Sequence, residues 1–243
     1  MMPEAGIRKP APERDDIIAN HANVKKMTTI QEIKGDLFDV QEDAVLIHAC
    51  NCQGVWGAGI AKEFKKKYPK AFGIYKAHCD EFKTKDQRKQ STKATEIPQP
   101  RGSTTSQILG SCLLIPPSEN SGQARKRHWV ACLFTSSGYG TSFFGKPGKD
   151  SQEDILKNTK MALEDLKRQV NMLNQEANGE ETAVGSPGPL FTCRINSGKF
   201  GVEWKETKSV VESVFDEAGW TVTVIVGEAD GRSLKRNDRT GAF

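Results

Sequence analysis

The sequence predicts an α/β fold, with a central mixed sheet layered between helices. Three observations carry this prediction. Short strand-like apolar stretches alternate with segments whose apolar residues repeat at helical period. The run "AVLIHAC", residues 44–50, is apolar but for His48, as strands buried on both sheet faces are. Glycine-bearing loops follow several of these stretches directly, as ligand loops do at the carboxyl ends of strands.

At 243 residues, one domain with polar additions fits better than two domains. Hydrophobic residues make up 36% of the chain and charged residues 27%, so polar segments dilute a core still large enough to fold unaided. The domain is expected over residues 28–227. Residues 1–27, rich in Pro and charge, read as a disordered arm, and residues 228–243 as a flexible tail. Two polar stretches, about 83–107 and 175–188, read as surface insertions.

Several classes of function are disfavoured. No apolar run approaches the roughly 20 residues of a membrane helix, and "MMPEAGIRKPAPERDD" lacks the apolar stretch of a signal peptide. A monomeric intracellular protein of the cytoplasm or nucleus, with no membrane contact, is expected. The six cysteines, Cys50, Cys52, Cys79, Cys112, Cys132 and Cys193, lie mostly in strand-like segments, as buried thiols do. Cys50 and Cys52 have no second Cys/His pair at ligand spacing nearby, so neither a metal nor a cofactor is expected. The net charge is +4, but the basic residues are scattered and lack interleaved aromatics, which argues against nucleic acid as a partner.

In chain order, "TTIQEIKG" reads as a strand, "DLFDVQED" as a loop or short helical turn, and "AVLIHAC" as the buried strand. A helix follows from Gly59, with Ile60, Ala61 and Phe64 on one face, and Pro69 either stops it or starts the next helix, "KAFGIYKAHCDEF". "ILGSCLLIP" and "HWVACLFTS" read as strands that can pair antiparallel. A long amphipathic helix from about Gln152 buries Ile155, Thr159, Ala162, Leu163, Leu166, Val170 and Leu173, with Ser151 or Asp150 as its cap. "PLFTCRI" is a strand, the segment from Trp204 to Phe215 a helix, and "WTVTVIV" the closing strand.

Three loops, "NCQGVWGAG", "SSGYGTSFFG" and "NSGKFG", each follow a strand, and the first and third lead at once into helices. A strand, glycines and a helix N-terminus together present unpaired amides to an anion such as a diphosphate. Neither G-x-G-x-x-G at the first loop nor a P-loop motif anywhere is present, so a dinucleotide or nucleoside-triphosphate fingerprint is absent.

"KGDLF", "IHACN" running into "GVWGAGIA", and "INSGKFGVEW" resemble the macrodomain, an ADP-ribose-binding fold with three α/β/α layers. Within it, "CNCQGVWGAGIA", "CLFTSS" and "INSGKFGVEWKET" are most similar to the fungal ADP-ribose 1''-phosphate phosphatases. The resemblance covers roughly residues 28–226 outside the two polar stretches. It implies that Asp36 accepts a hydrogen bond from the adenine amino group beside the Leu37 amide, and that Asn51 bonds the distal ribose. It implies a first diphosphate loop of Gly57, Ala58, Gly59 and Ile60, walled by Trp56, and a second of Ser197, Gly198, Lys199, Phe200 and Gly201. Read as residues alone, Asp36 can equally cap a helix, Asn51 brace a turn and Trp56 pack in the core.

The activity so implied is hydrolysis of ADP-ribose 1''-phosphate, a small-molecule substrate, to ADP-ribose and inorganic phosphate. Phosphomonoester hydrolysis needs an in-line nucleophile and charge stabilisation. The expected catalytic set is His48 as acid, base or nucleophile, with Asn51 and Ser136; Ser137, Asn196 and Lys199 would hold the terminal phosphate. Strand alternation, however, puts His48 on the face opposite Asn51, as for a core histidine. Two alternatives stay open: a hydrolase acting on ADP-ribosylated protein at acidic side chains, and a non-catalytic ADP-ribose reader. Ser136 and Phe200 stand where that hydrolase class has a Lys and an Asp, which weighs against it.

Overall fold

The computed structural model describes residues 30–92, 108–119, 127–143, 146–177, 186–217 and 219–227. The expected arm and tail lie outside the described residues, as does most of each polar stretch. The strands are β1 (Ile30–Lys34), β2 (Val45–Asn51), β3 (Cys112–Ile115), β4 (Trp129–Ser136), β5 (Leu190–Thr192) and β6 (Val222–Val226). The helices are α1 (Gly59–Lys67), α2 (Pro69–Thr92), α3 (Gln152–Ala177) and α4 (Trp204–Val214).

These strands form one six-stranded sheet in the order β1-β6-β5-β2-β4-β3. All neighbours run parallel except β3 against β4, so the sheet is mixed, as expected. Parallel sheets need cover on both faces, and two apolar clusters supply it. Val45 and Ile47 of β2 pack with Ala162, Leu163 and Leu166 of α3 and with Val211 of α4. Leu46 and Cys50 face the other way, into Phe64 of α1 and Ala71, Tyr75 and Cys79 of α2. The result is the three-layer α/β/α arrangement.

Pro69 opens α2 rather than merely ending α1, a position where its missing N–H costs nothing. α2 continues to Thr92, past Lys83, where composition had suggested a looped insertion. "KTKDQRKQ" is built largely of competent helix formers, and a helix nucleated on a packed face propagates through them. Ser151 caps α3, its Oγ accepting the Asp154 N–H at 3.1 Å.

Candidate functional site

The first loop begins at a fault in the sheet. β2 loses register with β4 between Cys50 and Asn51, which turns the chain out at the carboxyl edge. Asn51 braces the turn: its Oδ1 accepts the Gln53 N–H at 2.9 Å and its Nδ2 donates to the Val55 carbonyl at 2.7 Å. The Tyr75 hydroxyl donates to the Asn51 carbonyl at 2.6 Å. Trp56 is buried and stacks on Tyr75, so it is at once core and cleft wall. α1 has no side-chain cap at Ala58, and its first-turn amides are left for another partner. Gly59 opens α1 at φ 56°, a left-handed conformation that favours glycine, and a Cβ there would meet open space.

The second loop follows β5. Asn196 holds φ 65°, which Asn tolerates better than most residues, and its amide is locked between the Thr135 hydroxyl at 3.1 Å and the Thr159 hydroxyl at 2.9 Å. Gly201 N–H donates to the Gly198 carbonyl at 3.2 Å, and Val202 N–H to the Asn196 carbonyl at 3.1 Å. The N–H groups of Gly198, Lys199 and Phe200 have no partner among the described residues.

The third loop, after β4, ties the other two together. Gln53 Nε2 donates to the Pro147 carbonyl at 2.7 Å, and Gln152 Nε2 donates to the Gly201 carbonyl at 2.7 Å. A Cβ on Gly138 would sit 2.0 Å from the Pro147 oxygen, so this glycine serves the close packing of the loop.

The loops enclose one cleft of about 510 Å³. Its walls come from the end of β2 (Ala49 to Asn51), from the first loop (Val55 to Ala61), from the second (Cys193 to Asn196 and Gly198 to Phe200), and from Tyr139 and Gly140 of the third. Unpaired amides of the first and second loops therefore border the same space, an anion site built from two sides.

Gly57, Ala58, Gly59, Ile60, Gly198, Lys199 and Phe200 all line this cleft, together with Asn51, Trp56 and Asn196. Gly201 and Ser197 support the second loop from outside the lining. Asp36 caps the short 3-10 turn Leu37–Asp39, its Oδ1 accepting the Phe38 N–H at 2.9 Å, and Leu37 is buried; neither lines the cleft.

Two expected catalytic residues do not reach it. Ser136 is fully buried, its hydroxyl donating to the Gly138 carbonyl and accepting the Asp150 N–H, both at 3.0 Å. Ser137 is likewise engaged, donating through N–H and hydroxyl to the Asp150 carboxylate. His48 is fully buried on the α1 side of the sheet, stacked on Phe64 at 4.1 Å and edge-on to Trp56 at 4.7 Å. It is not among the residues that line the cleft, although Cys50 on the same face of β2 is.

His48 lies with Cys50 and Cys132 in the one close group of three possible metal ligands among the described residues. Cys50 Sγ is 3.6 Å from Nδ1 and 3.5 Å from Nε2. A sulfur that near both nitrogens and in the ring plane would overlap Cε1, so it lies over the ring face, off both lone pairs. Burial raises the Cys50 thiol, but the hydrogen bond from Cys132 and the electrostatic influence of the adjacent imidazole outweigh it and draw the thiol below its usual range. The Cys50 contact is thus a sulfur-ring contact in a packed layer.

Sequence reasoning missed Tyr139, Val55 and Arg194 as cleft residues. Tyr139 carried a usable signal, an aromatic between two glycines just after a strand. Val55 and Arg194 carried none, because their place depends on how the loops fold over one another.

Comparison with known proteins agrees with this geometry. The macro domain profile matches residues 47–99, which include most of β2, the first loop and α1. An Aspergillus clavatus protein named ADP-ribose 1''-phosphate phosphatase is 43% identical over 199 residues, covering 81% of this chain and 93% of that protein. The chain belongs to the macro domain family. An Aspergillus oryzae macro domain relative of the same name is 42% identical over 198 residues, covering 76% of this chain and 88% of that one. The solved macrodomain of Mycobacterium tuberculosis DarG shares the fold at a TM-score of 0.50 and 18% identity, covering 81% of this chain and 96% of that one.

Proposed function

We propose that this macro domain protein hydrolyses ADP-ribose 1''-phosphate to ADP-ribose and inorganic phosphate. The observation that carries the reading is the pair of amide cradles, on α1 and on Gly198 to Phe200, bordering one cleft of about 510 Å³. Such a volume suits a small nucleotide ligand. Relatives that this chain nearly spans bear the name of that activity.

In this reading the diphosphate lies between the cradles, and the distal ribose lies toward Asn51 and Asn196. The terminal phosphate extends toward the exposed Lys199 ammonium and the half-exposed Tyr139. Lys199 and the loop amides stabilise charge on the phosphoryl oxygens as water attacks in line. In this reading the cleft-lining Tyr139 donates a hydrogen bond from its hydroxyl to the departing ribose oxygen. His48 and Ser136 support the site without touching the substrate. The family resemblance gives the adenine amino group to Asp36, which stands outside the cleft lining and whose Oδ2 remains once Oδ1 has taken the Phe38 N–H.

The test is phosphate release from ADP-ribose 1''-phosphate by the purified protein, with ADP-ribose binding measured on the same preparation. Catalytic release is expected, and Lys199→Met is expected to lower kcat by about a hundredfold, as loss of one charge-stabilising donor does elsewhere. ADP-ribose binding without release would replace this reading with a reader.

A further inference from the structure

Lys149, in the third loop, makes a contact that the proposed chemistry does not use. Its Nζ donates to the Phe200 carbonyl at 3.2 Å, and it has no carboxylate partner among the described residues. The ammonium packs against the second loop so closely that a Cβ on Gly201 would lie 3.2 Å from it.

What lies beyond that carbonyl matters more. The Phe200 carbonyl shares a peptide group with the Gly201 N–H, which donates to the Gly198 carbonyl at 3.2 Å. The Gly198 carbonyl in turn shares a peptide group with the Lys199 N–H, which is unpaired and belongs to a cleft-lining residue. A chain of two peptide groups thus runs from a buttressing ammonium to a free donor at the cleft. A hydrogen bond accepted by a carbonyl makes the N–H of the same peptide a stronger donor, and a charged donor at the head of the chain adds most.

We propose that Lys149 is a positioning residue whose charge, relayed through these two peptides, orients and strengthens the Lys199 amide for an anionic ligand. Its ligand is the diphosphate of the proposed function, so the inference rests on that reading. The Lys199 side chain is a separate cation and does not enter the relay.

Two variants and two readouts test it. Lys149→Met keeps most of the stem and removes the charge, while Lys149→Arg restores a charged donor. The Lys199 amide resonance, read by nitrogen-edited NMR without ligand, is expected to move upfield in Lys149→Met and to return in Lys149→Arg. ADP-ribose affinity is expected to fall about threefold in Lys149→Met and to return to the wild-type value in Lys149→Arg, with adenosine affinity unchanged in both. An unshifted Lys199 amide, or an equal loss for adenosine, would overturn the relay. Failure of the wild-type protein to bind ADP-ribose would instead strike the proposed function, and the NMR readout would still decide the relay.

Discussion

Gly198 separates a glycine kept for the ligand from one kept for the fold. Its backbone lies outside the left-handed region, and a Cβ built on it meets nothing within 4 Å. Alanine there therefore strains nothing in the folded protein, and by restricting the unfolded chain it is expected to stabilise by about 0.4–1 kcal/mol. The new methyl would nevertheless enter space beside the unpaired amides of Gly198, Lys199 and Phe200. Pushing a phosphate oxygen off even one such amide forfeits a charge-assisted bond of about 1.5–3 kcal/mol. That corresponds to about a tenfold to hundredfold weaker Kd. Calorimetry with ADP-ribose and thermal melting on Gly198→Ala read the two quantities separately. Wild-type affinity in the variant would refute the placement of the diphosphate. A marked fall in Tm would show that Gly198 is structural after all.

The other expectations concern the layers around the cleft. His48→Ala empties a fully buried place between Phe64 and Trp56 and should cost about 3 kcal/mol, or roughly 6–12 °C in Tm, with kcat per folded molecule within about tenfold of wild type. A hundredfold loss of kcat at unchanged Tm would return His48 to the mechanism. Burial pushes the Glu32 carboxyl up, but hydrogen bonds from Lys208, Trp204 and Arg194 outweigh it and hold the pKa at about 2. Because the folded value is the lower one, the stabilisation is full above about pH 4.5 and fades as pH falls toward 2. Allowing for solvent screening it is about 1–2 kcal/mol, so acid unfolding of Glu32→Gln should lack that portion of the pH dependence; an unchanged acid profile would contradict this.

Much of the site was legible before any coordinates. Glycines ahead of an amphipathic helix announce unpaired amides, and parts of "GVWGAGIA" and "NSGKFG", Gly57 to Ala61 and Gly198 to Phe200, line the cleft. Alternation along β2 already set His48 opposite Asn51, and the structure packs His48 between Phe64 and Trp56. The extension of α2 to Thr92 was hidden because composition marks a segment as polar without saying whether a packed helix propagates into it. The engagement of Ser136 was hidden because hydroxyls at strand ends look alike in sequence. Only the return of the chain at Gly138 and Asp150 shows that both hydrogen-bonding roles of this one are taken.

By itself, the sequence determined the strands, the helices and the chemistry of the loops, since apolar period and glycine placement act over a few residues. Tertiary structure alone decided which groups meet. The register fault at Asn51, the bracing of the third loop by Gln53, and the contact from Lys149 to Phe200 join positions about 50 to 100 residues apart in the chain. Such contacts depend on packing geometry summed over the whole sheet, and no local pattern encodes them.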